Sequence, residues 1–293
     1  MDQAEQLRNV IKARNAVSHV SRVITVTSGK GGVGKTSLSM NLALQLHRQG
    51  KKVVILDADF GLANIEIMMG VHPTSNLADL MFQGKKLQDV IVTGPEGIGF
   101  ISGGSGIKEL ASMTREQIFY VMQSLADLDN IADIIIVDTG AGITDSVLDF
   151  AAASEEILLV VTPEPTSITD AYALLKALNH TPEFQTSNTV IRLVANRVKN
   201  NREGQEIFDK VSMVAERFLN IKIEYLGNIC DDECVSKAII QQKPLLMSYP
   251  NSVAAKSIVQ FSKELDHIEI CTKEKGKGIK KFFTTLIHAK MKK

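Results

Sequence analysis

The sequence predicts an α/β fold in which helices cover both faces of a mostly parallel sheet. Two observations carry that expectation. Seven apolar runs rich in β-branched residues recur along the 293 residues, and helical patterns lie between several of them. One run is followed at once by a glycine-rich loop and then by a helix, the order in which open parallel sheets meet their ligands. The runs are 23–27, 53–56, 98–102, 134–137, 157–161, 190–195 and 223–226.

Taken in order, the first strand runs into Gly29-Lys30-Gly31-Gly32-Val33-Gly34-Lys35-Thr36-Ser37, and Leu38, Leu42 and Leu46 then recur at helical spacing up to Gly50. The second strand ends at Asp57-Ala58-Asp59, the fourth at Asp138-Thr139-Gly140 and the sixth at Asn196. Residues 102–106 read as a flexible turn and 198–205 as a polar surface loop. There is no internal repeat and no proline-rich linker. The expected organisation is a domain over 21–271, with segments 1–20 and 272–293 standing apart.

The glycine loop fits G-x-x-x-x-G-K-[ST], whose backbone N–H groups cradle phosphates at a helix N-terminus. The nucleotide contacts then fall on Gly29 to Ser37, with Lys35 at the β- and γ-phosphates and Thr36 on Mg²⁺. Asp138, after an apolar strand, has the form of a second Mg²⁺ ligand. Asp57 and Asp59 divide the remaining work, one near the metal and one orienting water. Gly140 frees a peptide N–H towards the γ-phosphate.

Composition excludes several classes. The formal net charge is zero and the pI about 7.0, which does not favour direct nucleic-acid binding. Three cysteines make no disulfide framework and fit a reducing cytoplasm. No apolar run reaches the length of a membrane span, and a polar N-terminus bearing Asp2 and Glu5 is not a secretion signal. Histidines are scattered without ligand spacing.

The loop with its additional Lys30 resembles the deviant phosphate loop of the MinD/ParA class of P-loop ATPases. That resemblance implies an ATP- and Mg²⁺-dependent ATPase that dimerises around its nucleotides. Lys30 would reach the partner's phosphates and Lys35 its own. Residues 57–64 look like the class's switch I, with Asp59 positioning water and Asp57 near the metal. Residues 138–143 look like switch II, with Gly140 and Gly142 its glycines. Asn196 matches the asparagine that reads adenine, and residues 226–229 take the place of a second adenine-side loop. Where that loop usually carries Ile-Pro-x-Asp, this chain has Ile229-Cys230-Asp231-Asp232.

The two ends narrow the resemblance. Asp2-Gln3-Ala4-Glu5-Gln6-Leu7-Arg8 is similar to a motif of the flagellar MinD-like ATPases, the FlhG (YlxH, FleN) family. There the segment stimulates an SRP-type GTPase, FlhF, and Gln3, Leu7 and Arg8 are the residues to test. At the other end Ile279, Phe282, Phe283, Leu286 and Ile287 form one apolar stripe among lysines. It suits an interfacial helix on anionic lipids, and equally a helix docked on the domain's own core. Both hold if the helix is stored in the monomer and released in the dimer. The expected protein is thus cytoplasmic, peripheral at the inner face of the cell membrane, and in contact with C-ring or basal-body proteins. A division-site MinD, a ParA partitioner and an iron–sulfur carrier using Cys230 and Cys234 are the alternatives.

Overall fold

The computed structural model describes residues 20–59, 64–104, 123–267 and 278–291. Gln3, Leu7 and Arg8 lie outside that range, as do residues 60–63 of the expected switch I.

All seven anticipated strands form. They are β1 (Arg22–Thr27), β2 (Val53–Ala58), β4 (Gly99–Ser102), β5 (Ile134–Thr139), β6 (Glu156–Val161), β7 (Val190–Val198) and β8 (Ile223–Cys230). A two-residue strand, β3 (Val92–Thr93), pairs antiparallel with β4. It is too short to leave a pattern in the sequence. The order is β3-β4-β2-β5-β1-β6-β7-β8, and every pairing but β3–β4 is parallel.

The principal helices are α1 (Lys35–Arg48), α2 (Asn64–Met69), α3 (Leu77–Gln83), α4 (Leu128–Ile131), α5 (Asp145–Ala153), α6 (Pro165–Asn179), α7 (Asn201–Leu219), α8 (Glu233–Ile240), α9 (Val253–His267) and α10 (Ile279–Met291). Successive side chains of a strand point to opposite faces, so the sheet makes two core layers. Ile24 and Val26 join a cluster with Leu38, Leu42 and Leu46 of α1 and Ile258 and Phe261 of α9. Val23 joins the opposite cluster, with Phe150 of α5 and the apolar stripe of α10.

The α10 stripe is therefore core. Ile279, Phe282, Phe283, Leu286 and Ile287 are each at most 4% exposed, and burial of each such side chain is worth about 1.5–3 kcal/mol. The Phe282 ring lies 5.9 Å from Phe150 and edge-on to Phe283 at 5.3 Å. Lys281 Nζ pairs with Glu155 Oε1 at 3.0 Å. No described helix is long and apolar enough to cross a membrane.

Two local readings are corrected. Residues 201–205 are not loop but the opening of α7. Asn200 caps it by accepting from the Glu203 N–H at 3.0 Å, and Glu203 in turn accepts from the Lys199 N–H at 2.6 Å. The polar run 198–205 is a helix start, where such residues satisfy free N–H groups. Residues 226–229 lie within β8 rather than in a loop, because β7 bulges between Asn196 and Val198 and the pairing carries on to Cys230.

Candidate nucleotide site

Strand β1 delivers the phosphate loop to the N-terminus of α1. Gly34 caps α1 with φ 98°, and Gly32 has φ 73°. Only glycine takes such conformations without cost, and they turn successive N–H groups to one side. No acidic residue stands in the first turn of α1, so nothing in the helix itself offsets its positive end.

Behind the loop, Lys35 is 7% exposed and donates to Ser28 Oγ at 3.1 Å. Burial lowers its pKa, against the opposing charges of Asp138 and Asp59. Ser28 Oγ donates to the Lys30 carbonyl at 2.6 Å, bracing the loop from inside.

The carboxylates lie together. Asp57 and Asp138 are register partners on β2 and β5, both almost fully buried. Asp138 accepts from Thr36 Oγ1 at 2.7 Å and Ser39 Oγ at 2.8 Å. The Asp59 N–H donates to Asp57 Oδ1 at 3.0 Å. A Cβ on Gly140 would stand 3.4 Å from Asp59 Oδ1, so the segments that follow β2 and β5 touch. The Gly142 N–H donates to the Ser28 carbonyl at 3.2 Å, tying the segment after β5 to the phosphate loop.

Burial pushes Asp57 up to about 8, against the Asp59 N–H bond and together with the charges of Asp138, Asp59 and Glu66. Burial raises Asp138 to about 6, despite the Thr36 and Ser39 hydroxyls and Lys35. Crowded carboxylates beside the Thr36 and Ser39 hydroxyls are hard oxygen donors, and they suit Mg²⁺. Among the described residues no three His, Cys, Asp or Glu side chains form a cluster able to hold a metal by themselves. Mg²⁺ ordinarily shares its coordination with phosphates and water rather than sitting in an all-protein cage.

Lys30 sits at the rim. Its ammonium pairs with Glu164 and donates to Thr166 Oγ1 at 2.9 Å, both of the same chain. The two ionic side chains are 33% and 55% exposed. On the far side of the loop is a cavity of about 400 Å³ bounded by Ser37, Leu38, Asn196, Ile229, Cys230 and Asp231. Cys230 and Cys234 are half-buried free thiols. Partial burial and the Asp232 carboxylate raise the Cys234 thiol, which opposes a thiolate ligand.

Ser28, Ser39 and Glu164 escaped the sequence reading. Ser39 stands one helical turn after Thr36, and that spacing marks a shared face. Glu164 is 134 residues from Lys30, and nothing local signals the pairing.

A phosphate loop after a central parallel strand, with an aspartate closing each of two neighbouring strands, defines a P-loop NTPase. The chain belongs to the ParA/MinD-type family of these proteins. A family model named ParA and described as "NUBPL iron-transfer P-loop NTPase" matches residues 19–266. The antiactivator FleN of Pseudomonas aeruginosa is 41% identical over 248 residues, covering 85% of this chain and 87% of its own. The flagellum site-determining protein YlxH of Helicobacter pylori is 32% identical, with 98% of each chain covered. The septum site-determining protein MinD of Pyrococcus horikoshii, solved with Mg-ADP, superposes with a TM-score of 0.65 at 22% identity, covering 84% of this chain and 96% of that one. This last likeness establishes the fold.

Proposed function

We propose that the protein is an ATP-dependent dimerising ATPase that cycles on the membrane and regulates the number and placement of flagella. The observation that carries this reading is Lys30. It projects from the phosphate loop at an exposed edge, and its partners Glu164 and Thr166 are exchangeable surface groups of the same chain. The flagellar names of the two relatives support the cellular role.

In this reading Lys35 and the N–H groups of residues 31–36 hold the phosphates of ATP. Asp59 orients the attacking water beside Gly140. Thr36, Asp57 and Asp138 would hold Mg²⁺, which would supply charge neutralisation at the phosphates. Lys30 leaves Glu164 and offsets the repulsion of two facing nucleotides in the dimer. Exposed Ile67 on α2 and Ile143 after β5 suit burial by a second copy.

Membrane attachment requires the α10 stripe to leave the core, because lipid and core cannot hold the same side chains. Two released helices in one dimer bind through effective concentration where one is weak. The segment 1–20, with Gln3, Leu7 and Arg8, is the proposed contact to the flagellar SRP-type GTPase FlhF. Anionic lipids and basal-body proteins are the other partners.

The test is co-sedimentation with anionic liposomes in ATP and in ADP, using D59A to hold ATP unhydrolysed, with hydrogen exchange followed across 279–291. Full-length protein is needed, since deleting α10 would uncover the core. ATP-only pelleting with faster exchange of α10 is expected. Equal pelleting in both nucleotides removes the membrane cycle and leaves a dimerising ATPase.

A further inference from the structure

Asn196 makes bonds that a base-reading residue does not need. Its Nδ2 donates to the Val33 carbonyl in the phosphate loop at 2.7 Å, across 163 residues of sequence. Its Oδ1 accepts the Arg197 N–H at 2.9 Å. Arg197 has φ 56°, at the point where the β7–β8 pairing slips. The side chain thus caps a bulge in its own strand, and that bulge aims the amide at the loop rather than along the sheet.

The Val33 carbonyl is a consequential atom to hold. In a trans peptide the carbonyl and the following N–H point to opposite sides, and no peptide bond among the described residues is cis. Fixing the Val33 carbonyl against β7 therefore aims the Gly34 N–H away from β7, into the phosphate cradle. Gly34 forms one side of this peptide in a left-handed conformation, and Gly32 precedes Val33 in another; glycine next to a peptide plane leaves it freer to turn over. The Val33 side chain is buried at 2% exposure, which anchors the residue without fixing its carbonyl. The packing is close: a Cβ on Gly34 would fall 2.4 Å from Asn196 Nδ2.

We infer that Asn196 is a positioning residue for the phosphate loop, holding the Val33–Gly34 peptide in the orientation that binds phosphate whatever base is attached. The inference rests on the phosphate-loop reading above. It assigns to this asparagine a role separate from adenine recognition. One Nδ2 hydrogen and one Oδ1 lone pair stay available, so the two roles are compatible.

The test uses a ligand without a base. Calorimetric titration of Mg²⁺ with inorganic tripolyphosphate, and separately with ATP, is run on the wild type, N196A and N196D. N196A should lose about fivefold to tenfold in affinity for tripolyphosphate, the worth of one hydrogen bond. Its loss for ATP should be at least as large. N196D keeps the volume but sets a carboxylate against the Val33 carbonyl, and should lose more for both ligands. Thermal unfolding of each variant confirms that the titrated protein is folded, and N196D stands in if N196A is not. Loss of ATP affinity with tripolyphosphate binding within twofold of wild type overturns the inference and leaves Asn196 a base reader. A wild type that binds neither ligand overturns the phosphate-loop reading, and this inference with it.

Discussion

The two edges of the sheet handle buried charge in opposite ways. At the C-terminal edge Asp57 and Asp138 lie side by side on β2 and β5, with Lys35 as the buried cation beside them. At the N-terminal edge Glu156, 1% exposed, receives Arg22 through two bonds of 2.8 Å and is paired also with Arg192. Arg192 reaches on to Glu224 at 3.0 Å, and Arg22 also holds the Leu265 carbonyl of α9. One edge sets a single lysine against crowded carboxylates, and the other matches two carboxylates with two arginines. The difference marks the upper edge as a place for a cationic ligand and the lower as a clasp joining β1, β6, β7 and α9. Uncompensated burial costs stability, and proteins retain it where a ligand repays it.

Breaking the clasp should produce the largest effect. Glu156→Ala leaves two arginines facing each other in a buried site and should destabilise the protein by about 3–5 kcal/mol. Urea denaturation measures this. A loss under about 1 kcal/mol would show that the lower edge is solvated and that the contrast is wrong.

The upper edge should respond with the opposite sign. A carboxyl whose folded pKa lies above its unfolded value holds its proton more tightly when folded. Its cost is absent below about pH 4 and grows as pH rises towards 8. Asp57→Asn should therefore stabilise the protein by a few kcal/mol at pH 8 and almost nothing at pH 4, while Mg²⁺-dependent hydrolysis is lost. Denaturation across that pH range without nucleotide is the measurement. A variant no more stable than wild type at pH 8 would mean that Asp57 is already compensated.

The smallest effect sharpens the lower edge further. Lys281 and Glu155 hold α10 through a half-exposed pair, which is worth up to about 1 kcal/mol. Lys281→Ala should cost no more than that in global stability, yet speed hydrogen exchange across 279–291. Unchanged exchange there would mean that the apolar stripe alone holds the helix.

How much was legible follows from the range of each interaction. Strands β1, β2, β5 and β6 announce themselves because a strand buried on both faces must be mostly apolar. The phosphate loop is legible because its chemistry is local, with glycines, lysine and hydroxyl inside nine residues. The α7 start was misread because a capping run and a surface loop have the same polar composition, and only the Asn200 and Glu203 bonds separate them.

The sequence by itself determined the fold class, the phosphate loop and the carboxylates at the strand ends. Each depends on residues adjacent in the chain or on a periodicity that one element imposes. Tertiary structure decided three matters that no local pattern holds. It placed the α10 stripe in the core, where its spacing suited lipid equally well. It gave Lys30 a partner in Glu164. It turned Asn196 onto the Val33 carbonyl. In each case the partner lies more than a hundred residues away, and only the closing of the sheet and its covering helices brings the two together.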